Sequence, residues 1–313
     1  MNTRKYFFIV LSVLVTLSFS HVIAQDKVGV LVLAHGGSNG WNETVIQAAE
    51  PLKEKYPVEI AFGMADPNTM QVGIDKLEAQ GVTKIIVAQL FISSYSPIIR
   101  QNEYLLGIRK ELADEPMLMD HSSGNHSQHH QTENKKDDEK KELKLLKLNS
   151  KITLTEPLND NPLAANILLE RIMELSKLPE NETVIIVSHG PNDEEDNKKW
   201  IETMDSIANQ IRVKLLDKQS FKNIFCMTIR DDAPKEIYEI AKENLRNIIN
   251  QASKDGKVIV VPLLLSQGGV EKGIVKRLEG LNYEWNGKTL LPQPSITSFL
   301  QTSIDNALKE TKF

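Results

Sequence analysis

Six short runs of Val, Ile and Leu punctuate the chain: VGVLVLA (28–34), VEIAFG (58–63), KIIVAQLFI (84–92), TVIIVS (183–188), NIFCMTI (223–229) and KVIVVPLLL (257–265). They are nearly continuous in apolar residues rather than alternating, which is the pattern of strands covered on both faces. Helical patterns such as ETVIQAAEPLKEKY, NTMQVGIDKLEAQG, KKWIETMDSIANQI and PKEIYEIAKENLRNIINQA lie between them. Alternating strands and helices predict an α/β fold with mostly parallel sheets.

The order of these pieces occurs twice. KVGVLVLAHGG is matched by ETVIIVSHGPN, VEIAFGMADP by NIFCMTIRDDAP, and VTKIIVAQLFISS by GKVIVVPLLLSQGG. Three landmarks repeated in order point to an internal duplication. The expectation is two similar doubly wound parallel-sheet domains, at residues 25–118 and 151–313.

Two segments stand outside that plan. Residues 1–24 join a basic start, MNTRK, to the apolar run YFFIVLSVLVTLSFS and end in HVIA. That is the pattern of a secretory signal peptide cleaved after Ala24. A retained anchor is the alternative, since the run approaches the ~20 residues of a membrane span. Cleavage would leave no stable span and a periplasmic or cell-envelope protein. Residues 119–150 hold the stretch DHSSGNHSQHHQTENKKDDEKKE, which has no apolar periodicity and reads as an insert. His121, His126, His129 and His130 in it suit weak capture of Zn, Co, Ni or Cu ions, or belong to a solvated linker.

A net charge of −5 argues against nucleic acid as a partner. A single cysteine, Cys226, precludes an intramolecular disulfide and reads as core. Trp41, Trp200 and Trp285 are also expected in the core.

With the leader and insert set aside, only His35 and His189 remain. Each follows an apolar strand and precedes a glycine, Gly36 or Gly190. In open parallel sheets, ligands bind beyond the carboxyl ends of the strands. Glycine there permits a tight turn and keeps side-chain bulk away from a bound ligand. Equivalent placement in both halves marks these histidines as functional. Three chemistries are excluded. No Gly-x-Ser-x-Gly nucleophile elbow occurs. Ala34 and Ser188 stand where a histidine phosphatase carries arginine, and HGGSNG lacks Gly-x-Gly-x-x-Gly spacing.

The doubled strand-His-Gly plan, VPLLLSQGG near the end, FISSYSPIIRQNEYLLG and PLNDNPLAANILLERIMEL together resemble the class II tetrapyrrole chelatases, more narrowly the sirohydrochlorin cobaltochelatases. The resemblance implies ATP-independent insertion of Co²⁺ or Fe²⁺, with Ni²⁺ a further candidate, into a cyclic tetrapyrrole held between two lobes, without a nucleotide. It also implies a histidine pair in one lobe, at the strand-His-Gly position and in the loop after that lobe's last strand. Neutral imidazole both ligates metal and accepts the protons leaving the ring. His35 and His189 match the first position. At the second, the chain departs: Tyr95 occupies the first-half loop, and Gly268, Gly269, Val270 and Glu271 the second. Tyr95 is a candidate for hydrogen bonding to the ring or for packing. Glu271 is a candidate ligand and base, or a helix-start carboxylate near the dipole. Arg100 and Lys272 are candidate partners for the ring's acidic rim. A non-catalytic tetrapyrrole or metal carrier is the alternative to an enzyme, and a metal buffer acting through the insert is a third reading.

Overall fold

The computed structural model describes residues 26–112, 115–117, 143–215 and 220–310. The leader and the four insert histidines lie outside the described residues. Strands β1 (Val28–Ala34), β2 (Val58–Phe62), β3 (Lys84–Leu90) and β4 (Lys151–Leu154) form one sheet in the order β2-β1-β3-β4. Strands β5 (Glu182–Ser188), β6 (Asn223–Thr228) and β7 (Lys257–Pro262) form a second, in the order β6-β5-β7. Every ladder is parallel, so both sheets are doubly wound as the sequence predicts. The central strands β3 and β5 are buried at every position. Full burial of each Val, Ile or Leu there contributes roughly 1.5–3 kcal/mol.

The halves interlock. Helix α1 (Asn39–Ala49) follows β1, α2 (Pro67–Ala79) follows β2, and α3 (Pro97–Leu105) follows β3. In the second half α5 (Glu194–Lys214), α6 (Lys235–Ala252) and α7 (Gly269–Arg277) take the same places. The closing helices α4 (Pro162–Met173) and α8 (Pro294–Glu310) cross over. Helix α4 packs on α5 and β7, whereas α8 packs on β3 and α1. Thr297 of α8 donates a 2.8 Å hydrogen bond to the Ala48 carbonyl. One apolar core therefore runs through both halves, from Val30 and Ile86 through Leu168 and Ile186 to Leu300. Separate outer cores lie under α2 and α3 and under α6 and α7.

This crossing changes the division into lobes. Residues 151–154, expected to open the second domain, instead extend the first sheet beside β3. The preceding turn is held there too: Glu78 of α2 accepts from the backbone N–H groups of Asn149 and Ser150, each at 2.8 Å. Strand β4 has only four residues and none is fully buried, so it leaves no continuous apolar run in the sequence. Its counterpart in the second half shrinks to a single bridge between Ile259 and Glu284. Among the described residues, no helix is long and apolar enough to cross a membrane.

Candidate functional site

The two histidines sit at matching strand ends. Nδ1 of His35 lies 2.8 Å from the Gly36 carbonyl oxygen, and Nδ1 of His189 lies 2.9 Å from that of Gly190. A carbonyl only accepts, so Nδ1 carries the hydrogen in both rings. The neutral ring then keeps its lone pair on Nε2, the atom able to ligate or take a proton. The turn depends on the glycines. Gly36 has φ +79° and Gly190 φ +74°, conformations that cost a side-chain-bearing residue roughly 1–2 kcal/mol. At Gly190 a Cβ would also fall 2.5 Å from Cβ of Thr228 and 2.9 Å from Oδ1 of Asn197.

The surroundings of the two rings differ. His35 is exposed, with the Trp41 ring centroid 6.4 Å away. Ser38 caps α1 and Asn42 accepts from the Gly37 N–H at 2.8 Å, which fixes the first turn. Trp41, expected in the core, stands instead where the halves meet, with Cδ1 3.5 Å from where a Cβ on Gly268 would lie. Beside it, the hydroxyls of Thr44 and Ser266 are 2.9 Å apart across the junction. Trp200 is in the core as expected, its Nε1–H donating to Ser188 at 3.2 Å.

His189 is turned toward the loop after β6. Its Nε2 is 3.4 Å from Oδ2 of Asp232, with the two side chains 30% and 51% exposed. Burial disfavours the imidazolium, but the Asp232 carboxylate, the Gly190 carbonyl and Asp231 outweigh it, so the pKa of His189 is raised. Both flanks of this contact are fixed. Arg230, at φ +48° and buried, donates Nε–H to the Pro191 carbonyl at 3.0 Å, a second hydrogen bond to the Asn192 carbonyl, and a third to Glu194 at 2.5 Å. Its backbone N–H donates to the His189 carbonyl at 2.7 Å. Arg277, 2% exposed, holds Asp231 at 2.5 Å and lies with Cζ 3.8 Å from the Tyr238 ring centroid.

The remaining sequence candidates scatter along the junction. Oε2 of Glu271 accepts from the Gly268 N–H at 2.7 Å and so caps α7. The carboxyl is buried rather than solvated, and Oε1 has no hydrogen-bond partner. Burial raises its pKa against the pull of the Gly268 and Glu271 backbone N–H groups. Gly269 opens α7 with free space where its Cβ would be. Tyr95 is exposed at the far end of the junction, with Nζ of Lys199 5.5 Å from its ring centroid. Tyr95, Lys199, Ser94 and Glu156 separate two cavities of about 420 and 400 Å³. Arg100 lines the second cavity, yet both ends of its guanidinium bind Asp196 of α5, at 3.1 and 2.7 Å. Lys272 is exposed on α7. The structure thus joins Trp41 to His35 and Asp232 to His189, and neither Trp41 nor Asp232 was singled out from the sequence as a site residue. The one available signal for Asp232 is the doubled acid of RDDAP, against the single acid of MADP.

Residues 29–175 match the family model CbiX. That match spans 147 of the chain's 313 residues. The matched segment takes in the first lobe and α4, and the fold likeness extends over the second. The structure of SirB from Bacillus subtilis with Fe³⁺ superimposes with a TM-score of 0.60 at 15% identity, covering 92% of this chain and 98% of that one. The sirohydrochlorin chelatase SirB from Bacillus subtilis subspecies spizizenii in complex with cobalt gives 0.58 at 14% identity, again covering 92% and 98%. No curated protein matches this chain in sequence.

Proposed function

We propose that the chain is a metal chelatase that inserts a divalent ion, Co²⁺ or Fe²⁺ with Ni²⁺ a further candidate, into sirohydrochlorin or a related tetrapyrrole without a nucleotide. The observation that carries this reading is the pair of strand-end imidazoles, His35 and His189, each anchored through Nδ1 on the following glycine carbonyl within a chelatase fold. Insertion replaces two pyrrole N–H protons by one M²⁺, so the site must present a metal donor and receive two protons. Neutral imidazole does either near neutral pH. The SirB structures, with Fe³⁺ and with cobalt, support metal as the cargo. Tyr95 and the loop Gly268–Glu271 flank the ring's place at the junction in this reading, and the insert histidines recruit metal. Export belongs to the reading as well: residues 1–24 act as a leader removed after Ala24.

A second reading, a carrier that holds ring or metal without chemistry, draws support from the loops after β3 and β7. They carry Tyr95 and a buried, cap-forming Glu271 in place of a second imidazole. Absorbance of sirohydrochlorin mixed with Co²⁺ and the protein separates the two. Metallation faster than the uncatalysed reaction, abolished by His35→Ala or His189→Ala, establishes the enzyme. Spectral shifts on binding with no acceleration establish the carrier.

A further inference from the structure

We propose that the Arg100–Asp196 ion pair is an exchangeable clasp between the two halves, in which Asp196 holds the place of a carboxylate on an incoming acidic ligand. This deepens the chelatase reading and rests on it for the identity of that ligand, a tetrapyrrole with an acidic rim.

The clasp is needed neither to start its helices nor to join the halves. Ser96 caps α3, accepting from the Ile98 N–H at 3.3 Å, and Asp193 caps α5, accepting from the Asp196 N–H at 2.9 Å. An apolar core already runs through both halves. The paired side chains are only 18% and 12% exposed. Desolvating two charges offsets most of what their attraction contributes, so such a pair adds little net stability. Elsewhere on the junction, Thr44 and Ser266 meet through neutral hydroxyls. A two-pronged charge pair therefore calls for a task besides cohesion.

The partners are unequally placed. Arg100 is the fourth residue of α3, near the positive end of its dipole, where a cation is disfavoured and an anion beside it favoured. Asp196 lies in the first turn of α5, where the dipole stabilises a carboxylate with or without a cation. Asp196 can thus give up the contact at small cost, whereas Arg100 gains from any carboxylate that takes its place. The planar guanidinium suits the exchange, since its parallel N–H donors fit one carboxylate as well as another.

The pair also borders open space. Both side chains line the cavity of about 400 Å³, together with Tyr95 and Lys199. Arg109 lines it too, but its acid, Glu103 at 2.8 Å, belongs to the same half. The acid on Arg100 is lent by the opposite half, so an exchange there reports across the junction.

The test titrates the full chain with metal-free sirohydrochlorin, followed by absorbance at fixed ionic strength. Arg100→Gln is expected to weaken ring binding about tenfold. Asp196→Asn removes the competing carboxylate and is expected to tighten it about three- to tenfold. A merely structural pair would instead lose affinity in both variants. In the Arg100→Gln background, Asp196→Asn should bring no gain, which separates exchange at Arg100 from a general change in charge. Circular dichroism checks that each variant is folded. Weaker binding in both single variants, or an equal gain from Asp196→Asn in both backgrounds, overturns the clasp. Metallation with Co²⁺ is assayed separately. If the ring binds with these opposed effects and is never metallated, the chelatase reading fails while the clasp stands. If the ring is metallated and Asp196→Asn brings no gain, the clasp fails and the chelatase reading stands.

Discussion

The two strand-end histidines are the same device built to different stiffness. Each follows a buried parallel strand, turns on a glycine with positive φ, and donates Nδ1–H to that glycine's carbonyl. Around His35 the loop is held by the Asn42 amide and the Ser38 cap, and the ring is exposed beside Trp41. Around His189 two buried arginines grip the adjoining loops and a carboxylate faces Nε2. Duplication supplied one geometry; the residues in the loop after the neighbouring strand, MADP against RDDAP, then separated the copies.

The largest contrast is expected at the turn glycines. Gly190→Ala must accept φ +74° and push Thr228 aside from 2.5 Å, and should cost about 3 kcal/mol or more. Gly36→Ala meets Cβ of Phe62 at 3.1 Å, and should cost about 1–2 kcal/mol. Equal shifts in urea unfolding would break the claim that the second turn is the tighter.

The loop clamps should differ next. Arg230→Ala removes three donors from two carbonyls and Glu194, an expected loss of about 2–4 kcal/mol. Asn42→Ala removes one acceptor from Gly37, an expected loss of about 0.5–1.5 kcal/mol. The same unfolding assay ranks them, and a larger effect at Asn42 would reverse the assignment of the stiffer lobe.

A smaller effect sharpens the contrast through pH. The folded-state pKa of His189 is raised, with Asp232 overcoming desolvation. Its stabilising contribution is therefore fully present below the unfolded value of about 6.5 and lost as pH rises through the higher folded value. In metal-free protein, His189→Gln should cost up to about 1 kcal/mol at pH 6 and progressively less above neutrality. A cost that grows with rising pH would contradict the Asp232 pairing.

Glu271 should give the smallest change. Its folded pKa is raised by burial, so ionisation costs stability as pH rises from the unfolded carboxyl value toward the folded one. Glu271→Gln keeps an oxygen for the Gly268 N–H and removes that cost, leaving stability at pH 7 equal or higher by about 1 kcal/mol or less. A marked loss at pH 7 would show that the charge itself is needed at the α7 cap.

Much of the frame is legible in the linear chain. Strands covered on both faces must be apolar throughout, so β1, β3, β5 and β7 appear as continuous runs, and the spacing of His35 and His189 exposes the repeat. Strand β4 escapes because an edge strand of one exposed and three half-buried residues needs no such run. The crossing of α4 and α8 escapes because an amphipathic stripe specifies that a face is buried, not which sheet buries it. Trp41 reads as core on its size alone, since nothing local tells that Gly268 approaches it from the other half.

The sequence by itself determined the parallel α/β class, the duplication and the two histidines at the carboxyl ends of their strands. Those properties depend on local periodicity and on residues adjacent in the chain. Which helix covers which sheet, and which acid meets His189, only the tertiary structure decided. Asp231 and Asp232 are neighbours of one chemical kind, and long-range packing alone sends one to Arg277 and the other to the imidazole.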